Sequence, residues 1–161
     1  MITVHDLHHV EPGVVEAWAG TLSAGLRRCD LDEIEAMASV APERALGASL
    51  ALSSHAYAVL DRTGEPVAMF GAAPHPLPGV GIVWMLGTDG IDREAHAIAR
   101  KTRRYFTELT EAYPVALWNF IDARNTKSMR WLRWGGFRMI GETALGPDGH
   151  PFHIFARSAL V

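Results

Sequence analysis

The sequence predicts one mixed α/β domain over residues 1–161, a sheet with helices on both faces. Three observations carry that prediction. Short apolar runs bounded by turn residues alternate with amphipathic helical stretches along the whole chain. Residues 82–121 read strand, helix, strand, a βαβ unit whose two strands run parallel. A chain of 161 residues, 48% hydrophobic and 20% charged, suits one domain with its own core better than two.

The elements follow in order. A first strand is expected within Ile2 to Val10. Pro12 fits the first position of a helix, and Val14, Val15, Trp18, Leu22 and Leu26 recur at helical spacing behind it. Asp30 with Glu33 makes a capping-box pattern, and Pro42 opens another helical stretch through Leu46, Leu50 and Leu52. Tyr57 to Leu60 and Val67 to Gly71 flank Asp61-Arg62-Thr63-Gly64-Glu65, a hairpin signature in which Gly64 takes positive φ. Between Gly71 and Gly79 the prolines Pro74, Pro76 and Pro78 exclude helix and predict a stiff extended connector.

Ile82 to Leu86 is apolar at every position, the pattern of a strand covered on both faces at the centre of a sheet. Ile91, Ala95, Ile98, Thr102, Phe106, Leu109 and Tyr113 then trace one face of a helix that Asp92 is placed to cap and Pro114 to stop. Val115 to Ile121 is the next apolar strand. Asn125 begins a helix carrying Met129, Trp131, Leu132 and Trp134, ended by Gly135-Gly136. Two last strands, Arg138 to Glu142 and Phe152 to Arg157, flank the turn Gly146-Pro147-Asp148-Gly149. The predicted order is β-α-α-β-β-β-α-β-α-β-β, with a third short helix also compatible with the first insert.

Bulk properties exclude several function classes. A net charge of −3 argues against a polyanion-binding surface over the whole chain. The basic run Arg100, Lys101, Arg103 and Arg104 lacks interleaved aromatic residues, so it reads as a solvated helix face and not as a nucleic-acid contact. The lone Cys29 excludes an internal disulfide and points to a reducing, cytoplasmic setting. The N-terminus has no basic stretch followed by an apolar run, and no segment reaches the roughly 18 apolar residues of a membrane span. His5, His8 and His9, or His150 with His153, have no matching carboxylate or cysteine at ligand spacing, so no metal is expected. Alternation along the first strand would send His8 and His9 to opposite faces.

The element order and the segment Asn125-Thr-Lys-Ser-Met-Arg-Trp-Leu-Arg-Trp-Gly-Gly136-Phe137 resemble the GNAT N-acetyltransferase superfamily. Its members carry an asparagine after the fifth strand, a short helix, then Gly-Phe at this offset. The pattern has a physical basis: asparagine caps the helix, glycine ends it, and phenylalanine returns the chain to the core. A narrower resemblance covers residues 67–153. Val67-Ala-Met-Phe-Gly71, Trp84-Met-Leu-Gly-Thr-Asp89, Asn119-Phe-Ile-Asp-Ala-Arg-Asn125, Arg130-Trp-Leu-Arg-Trp-Gly-Gly-Phe137 and Gly149-His-Pro-Phe-His153 look like the GNAT-like podovirus internal virion protein A family. That family is associated with phage morphogenesis. The resemblance therefore implies a phage or prophage protein, phage structural proteins as partners, and residence in the host cytoplasm or the virion.

The GNAT resemblance implies acetyl-CoA as cofactor, a small amine as acceptor, and an acceptor site lined by the helices between Leu7 and Ser53. It also places the pyrophosphate loop at Leu86, Gly87, Thr88, Asp89, Gly90, Ile91, Asp92 and Arg93. Glycines there would let backbone N–H groups approach phosphates. Gly87 and Gly90 fit, but the closing Gly-x-Gly/Ala is missing, and Asp89 and Asp92 put negative charge where the phosphates would sit. Arg93 partly offsets it. The family's acid, a tyrosine seven residues after the motif asparagine, falls on Leu132, which cannot donate a proton. Tyr105 and Tyr113 read as helix-core residues.

Asp89 and Asp122, at the ends of adjacent parallel strands, are the candidate catalytic carboxylates, with Asp122 also placed to bond the backbone around Arg124. Asn125 is the helix cap and the candidate for touching a cofactor arm. Trp84 and Trp118 sit inside the two central strands, facing a ligand only if those strands splay. Two functions stand: an acyltransferase-fold protein that has lost transfer and serves virion morphogenesis or partner binding, and an active N-acetyltransferase.

Overall fold

The structure is a computed structural model, described here over residues 1–158. Strand β1 (Thr3–Asp6) leads through one 3₁₀ turn, Leu7–His9, into three helices, α1 (Pro12–Ala24), α2 (Arg28–Met37) and α3 (Pro42–Leu52). Strands β2 (His55–Leu60), β3 (Pro66–Pro74) and β4 (Val80–Gly87) form a meander. The short α4 (Gly90–Arg93) and the long α5 (Ala95–Ala112) lead to β5 (Ala116–Asp122). Helix α6 (Thr126–Trp134) precedes the closing pair β6 (Arg138–Leu145) and β7 (His150–Arg157). One sheet of seven strands results, ordered β1-β2-β3-β4-β5-β7-β6. Every neighbouring pair is antiparallel except β4 and β5, which are parallel as the βαβ pattern requires.

Strand alternation sorts the core into two layers. On β2 and β3, Tyr57, Val59, Ala68 and Phe70 face one way, joining Ile98 and Leu109 of α5 with Leu117, Phe137 and Phe155. Ala58 and Met69 face the other way, joining Leu22 of α1, Leu46 of α3 and Leu86 of β4. The central strands are therefore covered on both sides, which explains their unbroken apolar sequence.

Several boundaries differ from the sequence expectation. The first strand stops at Asp6, because the Asp6 carboxylate accepts the His8 N–H at 3.0 Å and opens the 3₁₀ turn. His8 and His9 therefore lie on a turn and not on alternating strand faces. The proline-rich segment is not wholly a connector. β3 continues through Pro74, pairing Ala72, Ala73 and Pro74 with Val83, Ile82 and Gly81, so the loop proper is residues 75–79. Asp92 does not cap the long helix. It sits inside α4 and pairs with Lys127 at 2.5 Å, while the Thr88 hydroxyl receives the Gly90 N–H at 3.1 Å.

Gly64 takes φ +88°, the left-handed value its turn requires. At the tip of the last strand pair, Gly146 has φ +78°, and a Cβ there would lie 1.8 Å from the Ala36 carbonyl oxygen. That tip thus rests directly on the C-terminal turn of α2.

Candidate functional site at the strand fork

Strands β4 and β5 pair over only three positions, Val80↔Ala116, Gly81↔Leu117 and Ile82↔Trp118, and then separate. Beyond Ile82 the two strands form a fork. Asn119 holds its apex: the side-chain amide donates to the Val83 carbonyl at 2.8 Å and its oxygen accepts the Phe120 N–H at 2.7 Å.

Past the apex the two strands have unpaired main-chain groups facing each other, which burial alone would make costly. Helix α2 and its N-cap Arg27 supply partners at Gly87 and Asp122. The Arg27 N–H donates to the Gly87 carbonyl at 2.9 Å, and the Asp30 carboxylate accepts the Gly87 N–H at 2.9 Å. Across the fork, Glu33 accepts the Asp122 N–H at 2.7 Å. Residues 27, 30 and 33 recur at helical spacing on one face, so one stretch of chain reaches both strands. The Arg27 guanidinium grips Asp30 at 2.9 and 3.3 Å and also donates to the Ser128 hydroxyl of α6 at 3.3 Å. Arg27 and Asp30 are both buried.

This corrects the capping-box expectation. Asp30 lies within α2, not at its start, and its carboxylate is committed to Arg27 and β4. Burial pushes the Glu33 carboxyl up to about 7; the Asp122 N–H opposes the rise and the nearby Asp30 and Asp122 charges add to it.

Between apex and α2 lies a cavity of about 470 Å³ that opens to solvent at its mouth. Its walls are largely apolar, with Ile34, Met37, Val83, Phe106, Phe120 and Leu132 among them. Arg27, Asp30, Glu33, Asn119 and Asn125 bring polar groups to it, and Arg44 and Trp134 stand at its exposed side.

The sequence-predicted residues divide between this cavity and its surroundings. Leu86 and Asn125 line it, and Asn125 caps α6 by accepting the Ser128 N–H at 3.2 Å. Gly87 ends β4, Thr88 follows it, and Gly90 and Arg93 begin and end α4; none of the four forms part of the wall. Asp89 is exposed where α4 begins. Asp122 is buried, accepts the Arg124 N–H at 2.9 Å, and meets the Arg124 guanidinium at 2.6 Å. Those Arg124 hydrogen bonds hold its carboxyl below the usual range, so it stays ionised and engaged.

Leu132 lines the cavity and offers no proton. Tyr105 packs against Tyr57 and Phe70, and the Tyr113 hydroxyl bonds Ser54, so neither tyrosine lines the cavity. Trp84 lines the cavity, its indole N–H on Ser53 at 2.7 Å, whereas Trp118 packs against His75 and Phe120. Among the described residues no three of His, Cys, Asp and Glu gather as a metal site would need. No helix there is long and apolar enough to cross a membrane.

The loop fits a diphosphate poorly. Four of its N–H groups point to the protein: Thr88 to the Val67 carbonyl at 2.9 Å, Gly90 to the Thr88 hydroxyl, Ile91 to the Thr88 carbonyl at 3.1 Å, and Asp92 to the Asp89 carbonyl at 3.1 Å. The two loop glycines have packing reasons. A Cβ on Gly87 would lie 2.1 Å from the Ile91 side chain, and one on Gly90 would lie 2.5 Å from Val67. Asp89 and Asp92 add negative charge at the same place, Asp92 paired with Lys127, so most of the loop's donors are taken and its charge does not favour a phosphate.

No family model matches this chain, and no curated protein matches it in sequence. Solved structures do match in shape. An acetyltransferase of the GNAT family from Streptococcus pneumoniae is 12% identical with a TM-score of 0.64, over 98% of both chains. A GNAT-family acetyltransferase from Bacillus anthracis is 9% identical with a TM-score of 0.68, over 99% of this chain and 96% of that one. The ribosomal-protein-S5-alanine acetyltransferase from Vibrio fischeri is 13% identical with a TM-score of 0.66, over 98% and 93%. Sheet order, the forked parallel pair and these likenesses agree on one conclusion: the chain has the GNAT acetyltransferase fold.

Proposed function

We propose that this chain is a GNAT-fold protein that has given up acetyl transfer and acts by binding a partner in virion morphogenesis. One observation carries the first half of that reading. Several backbone donors beside the fork are engaged by the chain itself, Gly87 by Asp30, Asp122 by Glu33, and the Thr88, Gly90, Ile91 and Asp92 amides by Val67, Thr88 and Asp89. The second half is supported by the resemblance of residues 67–153 to the podovirus internal virion protein A family. Phage structural proteins are then its partners, in the host cytoplasm or the virion.

Calorimetric titration with acetyl-CoA tests it. No heat is expected up to millimolar cofactor, and micromolar binding would overturn the reading. Co-purification with the products of neighbouring tail and portal genes tests the assembly role.

A second reading, N-acetyl transfer to a small amine, is favoured by one feature. Glu33 lines the cavity with its carboxyl pushed up to about 7, where a general base works best. On that reading Glu33, and not Asp89 or Asp122, would take the proton from the ammonium. Thiol release from acetyl-CoA with a panel of amines, rising through pH 7 and abolished in Glu33→Gln, would establish it.

A further inference from the structure

The helices on the two faces of the sheet carry opposite charge. Helices α5 and α6 pack on one face, and α1, α2 and α3 on the other. The first pair holds seven basic and two acidic residues, the other three hold six acidic and two basic, so the faces are complementary to each other. On the basic face Trp134 closes α6 with 51% of its surface exposed, and the Arg103 guanidinium of α5 lies over its ring at 5.4 Å. Arg130, one turn before Trp134, and Arg133 beside it are exposed too. Among the described residues none of these three arginines has a carboxylate partner.

On the acidic face α1 and α3 leave a groove between them of about 600 Å³. Its wall is mostly apolar, with Val10, Val15, Leu46 and Leu50 in it. Glu16 and Glu43 stand in the same wall, both exposed, and among the described residues neither has a basic partner. Arg44, the one basic residue of α1 and α3, lines the fork cavity and not this groove. Gly20 and Gly47 keep the groove open. A Cβ on either would meet nothing within 4 Å, so no packing inside the chain calls for glycine where alanine would favour the helix.

We infer that copies of this chain associate head to tail, the Trp134 indole of one entering the α1–α3 groove of the next while its arginines face Glu16 and Glu43. Tryptophan and arginine are the residues that most often carry binding energy at protein interfaces, here an apolar ring for the groove and guanidiniums for the glutamates at its sides. Knob and groove lie on opposite faces of one sheet. A two-fold pair built on this contact would need them on one side, so each contact leaves a knob and a groove free and the assembly stays open. Single-stranded nucleic acid fits the basic face less well. It stacks on several rings along a basic track, and Trp134 is the only large aromatic side chain exposed among the described residues. The contact needs no cofactor, so it stands or falls separately from the acetyl-CoA result.

Sedimentation equilibrium of the full chain tests it. The weight-average mass should climb past that of a dimer as concentration rises, and molar salt should weaken the association at least tenfold. Trp134→Ala removes the knob, and Gly47→Trp fills the groove from an exposed position. Each variant alone should stay monomeric with native circular dichroism. Mixed, they should form a one-to-one dimer that grows no further, because one keeps the groove and the other keeps the knob. Glu16→Arg should weaken association at least tenfold and leave the apolar wall intact. The inference is overturned by a chain that stays monomeric to millimolar concentration, by a mass that stops at the dimer, by mixed variants that do not pair, or by unchanged association in Glu16→Arg. A monomer that binds oligothymidylate through Trp134 would also overturn it and assign the basic face to nucleic acid.

Discussion

The two halves of the β4–β5 pair are held by different means. From Val80 to Ile82 the strands are joined by main-chain hydrogen bonds, which any sequence able to pack there would form. From Val83 to Gly87 the same strands are joined through side chains: Asn119 at the apex, Asp30 and Glu33 farther along. A ladder of amides is insensitive to pH and to most substitutions. A bridge made of carboxylates borrowed from another helix depends on two or three residues and on their protonation.

The sharpest way to break the contrast is Asp30→Ala. It strands the buried Arg27 charge and the Gly87 N–H together, and loss of one partner from a buried pair costs about 3–5 kcal/mol. Denaturant unfolding should show that loss, while β4–β5 amides before Ile82 keep their exchange protection until global unfolding.

The next effect is titration. Glu33 ionises at about 7 in the folded chain, against an ordinary value of 4.5. Between those values the unfolded chain has released a proton that the folded chain still holds. Raising the pH through that window therefore favours unfolding, by roughly 3 kcal/mol in all. Stability measured from pH 4.5 to 7 should fall accordingly, and Glu33→Gln should flatten the slope.

The smallest effect belongs to the paired half. A Cβ on Gly81 would meet the Tyr113 ring at 2.6 Å. Gly81→Ala should cost about 1–3 kcal/mol by overpacking, with no pH dependence of its own. A pH-dependent loss in Gly81→Ala would erase the distinction between the halves.

The same division explains what the sequence could say. The parallel pair, the hairpin around Gly64 and the Asn125 cap were readable because periodicity, turn chemistry and capping are local. The full length of β3 was hidden by Pro74, where a proline ends the strand without disrupting it. The fork's contacts were not readable at all. Asp30 and Glu33 do have the spacing of a capping box, and nothing nearby indicates that their partners are Gly87 and Asp122, some 57 and 89 positions away. The one local hint was three charged residues at helical spacing, Arg27, Asp30 and Glu33, which surface helices show routinely. The loop glycines misled for a related reason: close packing against Ile91 and Val67 demands the same residue that phosphate approach would.

The tip of the last strand pair bears on all of this. Gly146 sits so close to the Ala36 carbonyl that no larger residue fits, which makes the tip a prop under α2's far end. Displacing that tip would therefore disturb α2 directly. A protein seizing the C-terminal strands from outside would thus bear, through their tip, on the helix whose carboxylates bridge the fork.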